Sequence, residues 1–231
     1  MENVLEVYHR PYDPLRPQVC VDETSKQFLE HVTAPISPAP GVLARVDDEY
    51  RRCGTANIFL ATEPLNGRVI TEATEHRASV DFARFLRRLS DVEYRDAERI
   101  VLVMDNLSTH SMACFYEAFE PGEARRLAER FEIHFTPKHG SWLNVAEIQL
   151  SVLARQALDQ RIDTLARLRV VLDAWHAQRT CAAVRWRFTT ADARIKLHRL
   201  YPDTERAGAG REGSRRRPRD ARGAPASDPA V

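Results

Sequence analysis

The chain has 231 residues, 43% of them apolar, which is enough for one domain of ordinary size with a buried core. Its 34 Lys and Arg residues are balanced by 33 Asp and Glu residues, and the net charge of +1 gives no support to a stand-alone nucleic-acid-binding protein. The four cysteines form no CxxC pair, which argues against a structural zinc site and a disulfide framework. Because the N-terminus lacks an apolar signal core and no run reaches membrane-spanning length, we expect a cytoplasmic protein without a membrane partner.

The first third of the chain predicts extended segments separated by proline-rich loops. Residues 1–17 carry three prolines and predict an extended lead-in. A short strand is predicted at residues 19–22, where the apolar run ends in acids. The segments NIFLAT (57–62) and RVITEAT (68–74), joined by a turn that contains Pro and Gly, predict a β-hairpin.

The pattern then changes to alternating helices and strands. Apolar residues recur at helical spacing from Val80 to Leu89, with arginines on the other face. The remaining predicted elements are strands at 100–104 and 131–135 and helices at 123–130, from 144 onward, at 165–177 and at 191–200. Residues 203–231 have almost no large apolar side chain, so we predict a disordered Arg-, Gly- and Pro-rich tail behind one folded domain over residues 18–202.

Three strands followed by alternating helices and strands predict an α/β protein. We expect a mixed five-stranded sheet flanked by helices, with extra helices at the C-terminal end. This order of elements resembles the ribonuclease-H-like fold.

A first candidate acid, Asp105, ends the apolar run Ile100 to Met104. An acid at the C-terminal end of a buried parallel strand lies where α/β sheets open to ligands. An Asp-Asn pair after a strand also caps turns, which is the structural alternative. That alternative leaves unexplained the polar side chains that crowd this strand end, namely Asn106, Ser108, Thr109 and His110.

A second candidate, Glu147, lies near the start of a helix in the dense stretch TPKHGSWLNVAEIQLSVLARQ, residues 136–156. The structural alternative is a capping box, in which Asn144 is the N-cap and Glu147 its partner three residues later. Lys138, His139 and Trp142 are costly or polar choices for a simple connector, which favours a functional site.

Asp22 is the third candidate, with a solvated strand end as the alternative. Strand alternation would place Asp22 and Cys20 on one face and Glu23 on the other. The rival acids Asp47, Asp48 and Glu49 lie in a proline-rich region that predicts loop. Three carboxylates that converge on one sheet end would suit Mg²⁺ or Mn²⁺, and two such ions promote phosphoryl transfer.

A basic stretch follows near the C-terminal end of the predicted domain. It consists of Arg185, Arg187, Arg194, Lys196 and Arg199 around Trp186 and Phe188. These side chains could bind phosphates, but we favour a solvated helix face.

Several long strings in order carry a family resemblance. They are VCVDE, RRCGTANIFLATEPLNG, VLVMDNLSTH, TPKHGSWLNVAEIQLSVLARQ and WRFTTADARIKLHRLYP. Over residues 3–202 the chain resembles the catalytic part of bacterial insertion-sequence transposases of the DDE superfamily, in their mariner-like branch.

The resemblance implies a ribonuclease-H-like catalytic domain over residues 18–202 with Asp22, Asp105 and Glu147 as its metal-binding triad. It implies two Mg²⁺ ions, replaceable by Mn²⁺, with Asp22 bridging both ions and the other two acids each holding one. Such enzymes cleave element ends and join the freed 3′-hydroxyl to target DNA, commonly at TA. The implied supporting or DNA-contact residues are Asn106, His110, Lys138, His139, Trp142 and Asn144.

One feature of the family is missing from these strings. Such transposases carry an N-terminal helix-turn-helix region that reads the element ends, and we find none in this chain. The expected partners are double-stranded DNA and either a second copy or a full-length transposase. Two alternatives stay open: a truncated chain that associates without cleaving, and a resolvase or repair nuclease of the same fold that acts on branched DNA.

Overall fold

The computed structural model of the protein describes residues 1–34, 39–41, 48–106, 111–138, 140–179 and 182–201. The chain divides into two compact units, Met1–Thr190 and Ala191–Val231. The second unit contributes only its first residues to the described part, mainly helical residues up to Leu200. The predicted disordered tail, 203–231, lies outside the described residues.

The first unit is built on a five-stranded mixed sheet with strand order β3-β2-β1-β4-β5. The long strands β1 and β2 and the shorter β3 form an antiparallel meander, while β4 and β5 run parallel to β1. The strands are β1 Gln18–His31, β2 Tyr50–Glu63, β3 Arg68–Thr74, β4 Ile100–Met104 and β5 Phe131–Phe135. The predicted mixed five-stranded sheet is therefore confirmed.

Helices flank this sheet, also as predicted. They are α1 Glu2–His9, α2 Ser79–Arg88, α3 Ala113–Ala118, α4 Pro121–Glu129, α5 Val145–Leu153 and α6 Leu165–Gln178. A further helix, α7 Thr190–Lys196, begins at the last residue of the first unit and continues into the second. Short π-helical turns extend α2 and α5, at Leu89–Glu93 and Ala154–Leu158. Within the described ranges, no helix combines the length and apolar character that crossing a membrane requires.

The main hydrophobic core lies on one face of β1. Val19 and Val21 are fully buried there, together with Phe59 of β2 and Phe85 of α2. The Phe59 and Phe85 rings stack with their centroids 5.4 Å apart. Helix α2 covers this face because its apolar side chains recur at helical spacing while its arginines face outward. Since side chains alternate along a strand, this packing turns Cys20 and Asp22 to the opposite face.

The predicted extended lead-in at residues 1–17 is wrong for its first half. Glu2–His9 is a helix, and Val4, Leu5 and Val7 are fully buried. The three prolines that favoured an extended chain begin only at residue 11, after the helix has ended. The apolar residues before them have the spacing of one helix face, and burying that face stabilises the short helix.

The predicted hairpin of β2 and β3 is confirmed, but the antiparallel strands β1 and β2 are longer than the sequence predicts. The predicted strands cover residues 19–22 and 57–62, whereas the observed pairing continues to His31↔Tyr50. The parts of β1 and β2 that lie beyond the predicted strands are mostly polar and partly exposed, so they contain no continuous apolar run. Backbone pairing between distant segments, and not local hydrophobicity, extends these strands.

Candidate active site

The register of β1 and β4 brings two of the predicted acids side by side. The parallel ladder pairs Val19 with Leu102 and Cys20 with Val103. Asp22 and Asp105 each lie two residues beyond the last of these pairs. Residues in the same register of parallel strands point to the same face, and neighbouring strands are about 4.8 Å apart. The two carboxylates therefore emerge close together where β4 ends.

Helix α5 carries the third acid, and Asn144 fastens its N-terminus to β1. The Asn144 side chain, with 1% of the residue exposed, accepts a hydrogen bond from the Ala146 N–H (3.1 Å) as the helix N-cap. Its Nδ2 donates to the carbonyl oxygen of Val21 at 2.9 Å. One buried amide thus ties the first turn of α5, which contains Glu147, to the residue before Asp22.

The capping-box explanation of Glu147 is not supported. A capping box requires the Glu147 carboxylate to accept the backbone N–H of Asn144. That N–H donates instead to the Ser141 carbonyl oxygen at 2.6 Å. The N-cap role of Asn144 is confirmed, but Glu147 does not complete a capping box.

Tyr8 of helix α1 contacts the same two segments, the start of α5 and strand β1. The Tyr8 hydroxyl donates to the carbonyl oxygen of Leu143 at 2.6 Å, and it lies 3.3 Å from the Cys20 sulfur. Burial raises the pKa of Tyr8 well above its ordinary value, and burial also raises the pKa of Cys20 to about 12. Both groups therefore stay neutral, and Tyr8 remains a hydrogen-bond donor. Local sequence patterns gave no signal for this long-range contact.

The pKa of Asp22 reflects its burial and the negative charges of the other two acids. Burial is the largest cause that raises the pKa of Asp22, to about 7. The negative charges of Asp105 and Glu147 raise it further, as does that of Glu23, while a hydrogen bond from the Glu23 N–H (2.8 Å) opposes the shift. Glu23 itself forms an ion pair with Arg77 at 2.6 Å. A cation near Asp22 would relieve this repulsion.

The chemistry of these donors fits a hard divalent cation. All three side chains offer carboxylate oxygen, which Mg²⁺ and Mn²⁺ prefer. Among the residues with described positions, however, no three His, Cys, Asp or Glu side chains are already grouped closely enough to hold an ion. Metal binding by this triad therefore stays a prediction, supported by the register and the electrostatics.

The predicted supporting residues fall into three groups. Asn144 is buried and structural, whereas Asn106 and Lys138 are exposed. Trp142 is 41% exposed and lines a cavity of about 320 Å³ next to Glu147. His110 and His139 lie outside the described residues.

The same cavity contains residues that the sequence did not single out. Ile148, Ser151 and Arg155 line it together with Trp142, Asn144 and Glu147. Ser151 and Arg155 lie four and eight residues beyond Glu147, which is the spacing of one helix face, and this periodicity could have identified them. The Arg155 guanidinium donates to the Ser151 hydroxyl oxygen at 3.0 Å.

The rival acids lie away from this site. Asp48 and Glu49 are exposed and directly precede β2, whose first residue pairs with His31 at the far end of β1. That end is nine residues along the strand from Asp22. Asp47 lies outside the described residues.

This strand order, with Asp22 on β1, Asp105 directly after β4 and Glu147 on a helix fastened to β1, is that of a ribonuclease-H-like domain. Residues 17–169 match the model of the DDE superfamily endonuclease family. The chain belongs to that family. A search of curated proteins found no match.

Solved structures show the same fold. The chain is 17% identical to the "Mos1 Strand Transfer Complex" with a TM-score of 0.53, covering 78% of this chain and 53% of that one. It is 19% identical to the "Mos1 transposase paired-end complex with left transposon end", with a TM-score of 0.52 over 78% of this chain and 54% of that one. It is 18% identical to a "pre-cleavage Mos1 transpososome", with a TM-score of 0.50 over 77% of this chain and 53% of that one. The chain thus spans about half the length of these neighbours, and the predicted fold class is confirmed.

Proposed function

We propose that this chain is the catalytic domain of an insertion-sequence transposase that cleaves DNA at element ends and transfers the freed strand to target DNA. The observation that supports the proposal is the register of β1 and β4, which end their parallel pairing two residues before Asp22 and Asp105, together with the Asn144 bond that holds the start of α5, and so Glu147, against Val21. Membership of the DDE endonuclease family supports the same chemistry.

The proposed reaction consists of two phosphoryl transfers. In the first, a water oxygen bonds to phosphorus while the bond to the 3′ oxygen breaks, leaving a 3′-hydroxyl and a 5′-phosphate. In the second, that 3′-hydroxyl oxygen attacks a target phosphodiester and displaces another 3′ oxygen. One phosphodiester bond forms as one breaks, so this step needs no external energy source.

The three acids are assigned to hold Mg²⁺, or Mn²⁺ in its place, with two ions in each site. When bound, such ions activate the attacking oxygen and stabilise the leaving oxygen. Asp22 would hold these ions together with Asp105 and Glu147, whose negative charges raise its pKa. Asn144 and Tyr8 would fix the position of Glu147 relative to Asp22 without contacting substrate.

The proposed partners are double-stranded DNA and a second protein chain. The solved neighbours are described as paired-end and strand-transfer complexes, which supports DNA ends as the substrate and a pairing of catalytic chains. We propose a homodimer or an association with a full-length transposase, acting in the cytoplasm of a bacterial cell.

Replacing Asp105 or Glu147 tests the triad directly. We expect Asp105→Asn and Glu147→Gln to lower divalent-metal-dependent nicking of supercoiled plasmid DNA by about 10³-fold or more, because metal catalysis contributes several kcal/mol to such reactions. The chain is assayed alone and fused to a sequence-specific DNA-binding module, in Mg²⁺ and in Mn²⁺. The matched control is Asp96→Asn, a 91% exposed side chain that precedes β4 at the other edge of the sheet.

The outcomes separate the candidate functions. Nicking that survives either triad substitution would refute the site assignment. A folded native chain that nicks no DNA under any of these conditions would favour a chain that associates without cleaving. A marked preference for branched over linear DNA would favour a resolvase or repair nuclease.

A further inference from the structure

The first part of the basic stretch, with Arg185 and Arg187, does not lie on the helix face that the sequence favoured, whereas Arg194 and Lys196 lie on α7. Residues 182–189, called the strap below, are non-helical, and α7 begins only at Thr190. Val184, Trp186 and Phe188 are half-buried, whereas Arg185 and Arg187 between them are exposed. The strap therefore has an inward apolar side and an outward basic side, as expected for an extended segment lying on a surface.

One end of the strap is fixed to the turn between β2 and β3. The Val184 N–H donates to the Pro64 carbonyl oxygen at 2.7 Å. The Ala182 backbone lies so close to Gly67 that a Cβ there would meet it at 2.6 Å, and Gly67 has a φ of +76°. Both observations require glycine at position 67, so the close approach is built into the turn.

The other end of the strap lies against the candidate active site. The Trp186 ring packs on the ring of Tyr8, with centroids 4.8 Å apart, and its Nε1–H donates to the Phe188 carbonyl oxygen at 2.8 Å. The Phe188 ring meets Trp142 edge-on at 5.9 Å. Trp142 and Tyr8 both contact the region that positions Glu147, so these aromatic pairs hold the strap beside the acids.

We propose that the strap is a DNA-backbone contact in which Arg185 and Arg187 bind phosphates next to the cleaved position. Among the described residues, neither guanidinium has an ion-pair partner. Guanidinium groups match phosphate oxygens in geometry and charge. This surface offsets the repulsion between DNA and the acids of a chain whose net charge is only +1. The inference rests on the proposed function, since it places the DNA substrate at that same site.

The salt dependence of DNA binding tests this surface. Binding of the full chain to a 30-base-pair duplex is measured by fluorescence anisotropy at several salt concentrations, with Ca²⁺ in place of Mg²⁺ to slow cleavage. We expect Arg185→Ala/Arg187→Ala to reduce the slope of log affinity against log salt by about 2, close to one unit for each lost phosphate contact. Affinity should fall by a similar factor for every duplex sequence.

Two matched variants make the result specific. Arg95→Ala/Arg99→Ala removes two exposed arginines that precede β4, at the sheet edge opposite Asp105, and should leave the slope unchanged. Arg185→Lys/Arg187→Lys keeps both charges and should restore most of the slope. Thermal unfolding should show that all three double variants remain folded, because the replaced side chains are exposed.

The results also distinguish a failure of the strap proposal from a failure of the proposed function. If Arg185→Ala/Arg187→Ala keeps the native affinity and the native salt dependence, the strap does not bind phosphates. The proposal that the triad cleaves DNA would be unaffected by that result. The proposal of phosphate binding by the strap would also be wrong if the native chain binds no duplex even at low salt. Conversely, undiminished nicking by Asp105→Asn would refute the triad, whereas the binding measurement would still report on the arginines.

Discussion

The two faces of strand β1 differ in what holds them. On one face Val19 and Val21 are buried in a continuous apolar cluster with Phe59 and Phe85. On the other, Leu60, which pairs with Asp22, is also fully buried, and directional polar contacts join the strand to α1 and α5, from Tyr8 to the Cys20 sulfur and from Asn144 to the Val21 carbonyl. Asp22 emerges on this second face, half-buried and electrostatically unfavourable.

The two faces of β1 therefore contribute differently to the stability of the fold and to the position of the acids. Apolar burial is non-directional and contributes in proportion to area, so the cluster on the first face stabilises the fold without fixing the positions of the acids. Hydrogen bonds contribute less but are directional, so the second face fixes where the acids lie. Changes on the two faces should therefore have different consequences.

The largest effect on stability is expected from the apolar face. Phe85→Ala should lower the free energy of unfolding by about 3–5 kcal/mol, because the side chain is fully buried and its removal leaves a cavity. The measurement is urea denaturation followed by circular dichroism. Val92→Ala, at a 66% exposed position just beyond α2, should change stability by less than about 0.5 kcal/mol. Molecules of Phe85→Ala that remain folded should nick DNA normally, and a specific loss of activity would contradict the separation.

A smaller loss of stability with a larger loss of activity is expected at Asn144. Asn144→Ala removes the N-cap of α5 and the donor to the Val21 carbonyl, which should cost about 1–3 kcal/mol. Because α5 carries Glu147, nicking per folded molecule should fall as well. The measurement combines urea denaturation with plasmid nicking.

Thr164 provides the matched control, because it caps α6 by accepting the Arg167 N–H at 3.2 Å. Thr164→Ala should cost about 1 kcal/mol and leave nicking unchanged. Equal losses of nicking in both variants would mean that Asn144 acts through general stability alone. Asn144→Asp, which keeps the N-cap acceptor and loses the donor, should isolate the bond to β1.

The smallest effect is expected at Tyr8. Tyr8→Phe keeps the ring that packs on Trp186 and removes the hydroxyl that donates to Leu143, which should cost about 0.5–1.5 kcal/mol. Nicking should fall several-fold, because the Leu143 carbonyl directly precedes the N-cap of α5. Tyr116→Phe, at a 55% exposed position, is the control and should leave both quantities at the native value. Native activity in Tyr8→Phe would show that α1 does not position Glu147.

Much of this architecture follows from local patterns. The bounds of β3, β4 and β5 agree with the predicted 68–74, 100–104 and 131–135, because each is a compact run of strand-forming residues closed by polar residues or proline. The N-cap at Asn144 was also predicted correctly, since Asn is a favoured side chain for that position.

The predictions were wrong where a segment depends on distant partners. Helix α1 is too short to be stable alone and is stabilised by contacts such as Tyr8 with Leu143, 135 residues away. The strap alternates apolar and basic residues, as an extended segment does, but only its contacts with Pro64 at one end and Trp142 at the other fix where it lies. No window of sequence contains both partners of these contacts.

The sequence by itself determined which acids were candidates, which strands would be buried and the class of fold, because hydrophobic periodicity and strand-end residues are local properties. Only the tertiary structure decided that β1 and β4 pair in parallel as far as Cys20 and Val103, two residues before Asp22 and Asp105. It also decided that Asn144 joins α5 to β1. Register and docking arise from contacts between residues tens to more than a hundred positions apart, whose energies no local pattern records.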